Sequence, residues 1–240
     1  MDPRPLLTAD EARRAIYLDV EGRPHEAPVV LGTLWVSRQG QDPMLRRHVV
    51  DPPFAPAAIA TGLGRSSLRG EIRSLVGRAE RQHRVLVGWS EHEVRVVRAY
   101  APEFADAFDD RYRDARALAR RWRKKVHPDH EVIRDARGRK HSLTAYLSLA
   151  GYDLPPEYVG GRVGKTIRAL REALEVEGSY DAVRPKLQAR WLEVLGHNEH
   201  DLRATRAICL AALDELAGQE LRNRRQRKKH GKRSERREVA

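Results

Sequence analysis

The chain of 240 residues carries a formal charge of +12, with 40% hydrophobic and 33% charged residues, which suits one domain with its own core and hardly two. No run approaches the roughly 18 apolar residues of a membrane span, and Met1-Asp-Pro-Arg lacks the apolar core of a secretory leader, so a cytoplasmic protein with no membrane partner is expected. Cys209 is the only cysteine, which excludes intrachain disulfides and the zinc fingers and ribbons built on cysteine pairs. The excess charge makes a polyanion, nucleic acid or an acidic membrane surface, the first partner to consider. It is concentrated at the end: residues 221–240 hold ten Lys or Arg against Glu235 and Glu238, a net +8 that leaves +4 for residues 1–220.

The N-terminal third reads as strands at Ile16–Val20, Val29–Val36 and Leu45–Asp51, with turn formers between them, which suits an antiparallel meander. A helix-period stretch follows from Ser66 to about Gln82, then a short apolar run at Val85–Trp89, then a helical segment at Ser90–Tyr100. From Tyr112 onward the pattern is helical: Tyr112–Lys125, Ser142–Ala150, Thr166–Leu174, Asp181–Leu195 and Asn198–Ala217, set apart by turns bearing Pro and Gly. Three strands, helix, strand, helix define an α/β chain with a helix-rich C-terminal half. Residues 1–220 therefore read as one domain. Residues 221–240, with almost no apolar side chains and a block of like charge, read as a basic tail, disordered or a solvated extension of the last helix.

Three acidic segments carry the chemistry. In AIYLDVEG, Asp19 and Glu21 share one face of a strand while Val20 points the other way, so two carboxylates sit side by side at the edge of the core. That is costly unless a cation compensates it, and carboxylate oxygens are what Mg²⁺ or Mn²⁺ prefer; a strand end fraying into solvent is the bland alternative. In VLVGWSEHEVRVV, a buried strand ends at Gly88-Trp89 and a helix begins with Glu91, His92 and Glu93 in its first turn, where acids are also ordinary partners of the helix dipole. In LGHNEHDLRAT, His197 and Asp201 lie four apart on one face of a helix, as a general base beside a metal-binding carboxylate would, or as an exposed helix start capped by Asn198 would.

Taken in order, strand-DxE, strand-GWxxxE and helix-HNxxD resemble the three motifs of the DnaQ-like (DEDD) 3′-5′ exonucleases of the ribonuclease H-like superfamily, over residues 14–217. The resemblance implies a mixed sheet, three antiparallel strands followed by parallel ones, with flanking helices. It also implies a metal-dependent nuclease, a 3′-5′ exonuclease that hydrolyses phosphodiester bonds of DNA or RNA with two Mg²⁺ or Mn²⁺ ions. Asp19, Glu21, Glu93 and Asp201 would hold the metals and His197 would orient the attacking water, with Asp114 and Glu91 as further acids. Two departures stand out: Glu93 occupies a position where the family has Asp, and His197 precedes Asp201 by four residues, the spacing of the family's tyrosine branch. The alternative implied is a nucleic-acid-binding protein of the same fold with a weak or inactive site, and a more distant one is a basic scaffold for a protein or ribosomal RNA.

Other signals are weaker. Gly160-Gly-Arg-Val-Gly164-Lys165-Thr166 looks like a phosphate-binding loop, but only three residues separate Gly160 from Gly164 where the motif needs four. Arg162 and Lys165 could still meet a nucleic-acid phosphate at that helix start. Trp89, beside the acids, could stack a base or simply pack. His127, His130 and His141 lack a second ligand pair at a zinc spacing.

Overall fold

Ile16, Leu18 and Val20 point to one side of strand β1 (Ile16–Glu21), and Tyr17 points to the other, in a different core cluster. This is the alternation that a pleated strand imposes, and it carries Asp19 and Glu21 to the Tyr17 side. The computed structural model describes residues 5–23, 25–37, 42–131, 138, 140–158 and 162–238, with side chains as far as Arg225. Strand β2 (Val30–Trp35) runs antiparallel to β1, with Asp19 opposite Gly32, and β3 (Met44–Val49) runs antiparallel to β2. Strand β4 (Gly64–Arg65) is a two-residue parallel edge on β3.

On the other side of β1 the pairing is parallel, first to β5 (Leu86–Gly88) and then to β6 (Tyr112–Asp114), giving a six-stranded mixed sheet of order β4-β3-β2-β1-β5-β6. Its α/β character and antiparallel beginning follow the sequence pattern. Helices cover both faces. Ile16, Leu18 and Val20 pack against α3 (Leu68–Gln82), α4 (His92–Tyr100) and α5 (Ala105–Arg111) through Ile72, Val76, Val94 and Phe108. Tyr17 and Val87 pack against α1 (Ala9–Arg14), α6 (Ala115–Val126) and α8 (Pro185–Glu238) through Ala12, Trp122 and Ile208. A third cluster joins Val30 and Phe54 with α2 (Ala55–Ala60), α7 (Val163–Glu177) and Trp191 of α8. No helix among the described residues is long and apolar enough to cross a membrane.

The structure differs from the sequence pattern in several places, and α2, β4 and α5 are further elements that the pattern did not mark. Tyr112–Asp114, expected as the start of a helix, forms β6, because pairing with Leu86–Gly88 satisfies its backbone, and Asp114 then caps α6. Within Ser142–Ala150 only a short 3₁₀ turn at Leu143–Tyr146 forms. The segments Asp181–Leu195 and Asn198–Ala217 are one helix, beginning at Pro185, whose fixed φ and missing N–H suit a first turn. Gly196 does not end it: a Cβ there would collide with the Tyr158 ring, so this glycine marks a close approach rather than a terminus. The same helix continues through the basic segment to Glu238. Helix α1, not expected, is announced by a capping box in which Thr8 accepts from the Glu11 N–H and the Glu11 carboxylate accepts from the Thr8 N–H.

Candidate functional site

Asp19 and Glu21 leave the C-terminal half of β1 on the face that α8 crosses, and α8 answers with three residues in two turns. Asn198 is fully buried, and its Nδ2 donates to Asp19 Oδ2 at 2.7 Å and to the Asp19 carbonyl at 3.3 Å. The room comes from the neighbouring strand. Gly32 stands opposite Asp19, and a Cβ there would overlap the Asn198 amide. Asn198, which reads in sequence as a helix cap, is therefore an interior residue that fixes the Asp19 carboxylate.

His197 lies beside it. Its Nδ1 is 3.3 Å from Glu21 Oε1 and 3.3 Å from Asp201 Oδ2. These are ion-pair separations without hydrogen-bond alignment, so Glu21 Oε1 and His197 Nδ1 are buried with no hydrogen-bond partner among the described residues. Donor atoms of Glu21, His197 and Asp201 all lie within 4.8 Å of one another, a set that could hold a metal ion. Burial opposes the charge on His197, but its proximity to Asp201 and Glu21 outweighs it and raises the imidazole pKa well above the ordinary value. The two carboxylates thus favour the protonated form of His197.

Glu93 reaches the site from the first turn of α4 and is buried. Its Oε2 is 2.9 Å from the Tyr112 hydroxyl, which also meets the Ser90 carbonyl. One hydroxyl proton faces two acceptors, so Tyr112 donates to Glu93 when that carboxylate is ionised and to Ser90 when Glu93 carries its own proton. Burial pushes the Glu93 pKa up from 4.5 to about 7, against its hydrogen bonds, with a further push from Asp114. Gly88 makes the space: a Cβ at this position would meet both the Tyr112 hydroxyl and the Glu93 carboxylate.

The acids act on one another. Asp19 is raised well above the usual carboxylate range, first by burial and then by the charges of Glu21, Asp201 and Glu93, with His197 pulling the other way. Glu21 is raised by burial and by Asp201, against His197. Four carboxylates placed to repel one another, with unsatisfied oxygen and nitrogen atoms among them, fit an oxygen-seeking divalent cation. The structure brings Asp19, Glu21, His197 and Asp201 together on β1 and α8, and sets Glu93 behind them on Tyr112.

The remaining expected residues fall differently. Asp114 is the N-cap of α6, its Oδ1 accepting from the Arg116 and Ala117 N–H groups at 2.8 and 3.2 Å. It pairs in register with Gly88, and burial raises its pKa, with Glu91 adding to the push. Glu91 itself is exposed ahead of α4. Trp89 is half-buried and packs on Tyr146, ring centroids 5.7 Å apart. Arg162 and Lys165 are exposed at the start of α7, while Gly160 and Gly161 lie outside the described residues. Asn198, Tyr112 and Gly32 are the positioning residues that sequence reasoning missed. Gly32 inside an apolar strand was the available signal, since a strand glycine often marks a close approach.

No family model, curated protein or solved structure matches the chain.

Proposed function

We propose that the protein is a divalent-metal-dependent nuclease of the DnaQ-like, ribonuclease H-like kind, a 3′-5′ exonuclease acting on DNA or RNA. The observation that carries this reading is the convergence of Glu21 from β1 with His197 and Asp201 from α8 into one mutually close donor set, with Asp19 beside it on β1, held by Asn198 and within the field of Glu21, Asp201 and Glu93. The strand order β3-β2-β1-β5-β6, antiparallel then parallel, supports the ribonuclease H-like assignment.

Asp19, Glu21 and Asp201 would hold Mg²⁺ or Mn²⁺, with Glu93 beside them. When bound, such ions supply a water of lowered pKa and charge to stabilise the leaving oxygen of a phosphodiester. The protein's own part is positional and electrostatic. Asn198 keeps the Asp19 carboxylate in one orientation, Tyr112 does the same for Glu93, and His197, when protonated, offsets part of the charge of Glu21 and Asp201. Freed of that proton, His197 is the group placed to orient or deprotonate a water.

A second reading, a nucleic-acid-binding protein of the same fold that does not cut, is favoured by one observation: Asp19 and Glu93 both lie outside the mutually close donor set, Asp19 engaged by Asn198 and Glu93 by Tyr112. End-labelled single-stranded DNA and RNA incubated with Mn²⁺, Mg²⁺ or EDTA separate the two. Metal-dependent shortening from the 3′ end, abolished in Asp19→Ala, supports the nuclease. No shortening with any metal, with salt-sensitive binding intact, supports the second reading.

A further inference from the structure

Helix α6 turns Leu118, Ala119 and Trp122 into the core and leaves Arg116, Arg120, Arg121, Arg123 and Lys124 outside. Some exposed arginines elsewhere meet carboxylates, Arg13 with Asp214, Arg69 with Glu103 and Arg98 with Asp109, and others such as Arg65, Arg95, Arg168 and Arg184 stand singly among the described residues. On α6, Arg121 reaches Glu220 and Arg123 donates to the His130 carbonyl. Arg116, Arg120 and Lys124 have no carboxylate within ion-pair distance among the described residues. The side chains of Arg120, Arg121, Arg123 and Lys124, with Ala117 and His141, line a shallow, open cleft of about 350 Å³. His141 sits in left-handed backbone, hydrogen-bonded to and stacked near Tyr146. Burial and the field of Arg120, Arg123, Arg116 and Lys140 depress its protonation. Uncompensated positive charge in a concave, partly desolvated site is a demand for an anion.

Helix α6 begins near the acids, since its N-cap Asp114 pairs with Gly88, where a Cβ would meet the Glu93 carboxylate. The Arg116 N–H donates to the Trp89 carbonyl. At about 1.5 Å per residue, Arg120 lies about 9 Å and Lys124 about 15 Å along the axis from Asp114. Trp89, which follows Gly88, is half-buried and packs on the fully buried Tyr146. We propose that the α6 cleft binds the sugar-phosphate backbone of a single nucleic-acid strand and leads it toward the acidic site. This rests on the nuclease reading for what lies at the strand's end, but the grip itself does not. Nucleic acid is favoured over an anionic membrane because the site is concave and none of the large exposed apolar residues, Leu6, Met44, Ile59, Val176, Leu192 and Leu221, lies on α6 to insert into lipid. Arginine forks suit phosphate oxygens bidentately, and the partly exposed Trp89 ring can stack a base without regard to sequence.

The test uses the full chain in EDTA, so that binding is read without cutting. Anisotropy of a labelled oligodeoxythymidylate and of an oligouridylate is titrated at several salt concentrations. Arg120→Glu with Lys124→Glu should weaken binding at least about tenfold and flatten the salt slope by about 0.7 for each phosphate that the variant no longer holds. Arg222→Glu with Arg225→Glu, the same charge change on α8, should weaken it less, with circular dichroism melts of both variants matching the unaltered protein. Equal weakening by the two pairs, or none by the α6 pair, overturns the proposal. Capture by phosphatidylserine vesicles that exceeds oligonucleotide binding and depends on Arg120 and Lys124 overturns the choice of ligand. Asp19→Ala should keep the grip in EDTA, so loss of cleavage in that variant tests the nuclease and loss of binding in the α6 variant tests the cleft.

Discussion

Asn198 Nδ2 donates to Asp19 Oδ2 at 2.7 Å across the interface between α8 and β1, through a gap that exists only because residue 32 is glycine. A carboxylate raised by burial and by three neighbouring acids is held in place by a neutral amide rather than by a cation. The amide restrains the carboxylate without neutralising it, which leaves its charge for a metal.

Removing that amide should therefore separate positioning from folding. Asn198→Ala is expected to lower metal-dependent cleavage at least about tenfold in kcat with little change in KM, since the groups that grip the substrate stay and only Asp19 is left without its orientation. Gly32→Ala, which pushes a methyl into the same amide, should also cost stability, about 1 to 3 kcal/mol as for other overpacked sites. Steady-state kinetics and thermal melts on the two variants check this. A raised KM with unchanged kcat in Asn198→Ala would count against the positioning role.

The acids should make stability depend on pH in a definite direction. Glu93 has its pKa raised from 4.5 to about 7 in the fold, so its protonated form is favoured there. Its contribution is fully present below about pH 4.5 and is lost as pH rises through about 7, a change on the order of 3 kcal/mol for a shift of this size. In EDTA, the unaltered protein should lose stability relative to Glu93→Gln between about pH 5 and pH 8, because glutamine keeps a group facing Tyr112 and cannot ionise. Urea melts across that range would show parallel stability curves if Glu93 were not the titrating group.

Divalent metal should reverse this trend. Ligands whose protons are held tightly must release them to bind a cation, and Asp19, Glu21 and Glu93 are all raised, so Mn²⁺ affinity is expected to climb as pH rises. A site saturated at about 100 times its dissociation constant adds about 2.7 kcal/mol, or roughly 5 to 10 °C in Tm for a chain of this size. Asp19→Ala should lose most of that gain. An equal rise in Tm for both proteins would place the ion elsewhere.

Gly196 offers a stability test away from the acids. Gly196→Ala sets a methyl against the Tyr158 ring and should destabilise by about 1 to 3 kcal/mol, even though alanine is the better helix former. Adding Tyr158→Ala should recover the helix-propensity gain. A simple helix-end glycine would respond to neither partner, and thermal melts of the single and double variants distinguish the cases.

Much of this arrangement was legible along the chain because it is local. The alternation of Ile16 to Glu21 places Asp19 and Glu21 on one face whatever packs above them, and the spacing of His197 and Asp201 places them on one side of a helix. The apolar run ending at Gly88 locates the turn that delivers Glu93. Where local signals were ambiguous, the pattern pointed elsewhere. Gly196 and Asn198 together look like the end of one helix and the cap of the next, and Tyr112 looks like the first residue of a helix. Both readings satisfy the backbone equally well in isolation.

The sequence by itself determined the α/β character, the antiparallel opening strands, and which acids share a strand or a helix face, because side-chain direction follows from backbone periodicity within a few residues. Only the tertiary structure decided that α8 crosses β1 closely enough for Asn198 to reach Asp19, and that Tyr112 joins the sheet and meets Glu93. Those outcomes depend on pairs of residues far apart in the chain, Asp19 and Asn198 being separated by 179 positions. Such pairs meet where glycines leave room for a side chain from another element, Gly32 for Asn198, Gly88 for Tyr112 and Glu93, and Gly196 for Tyr158, a matter of packing in three dimensions that no local pattern encodes.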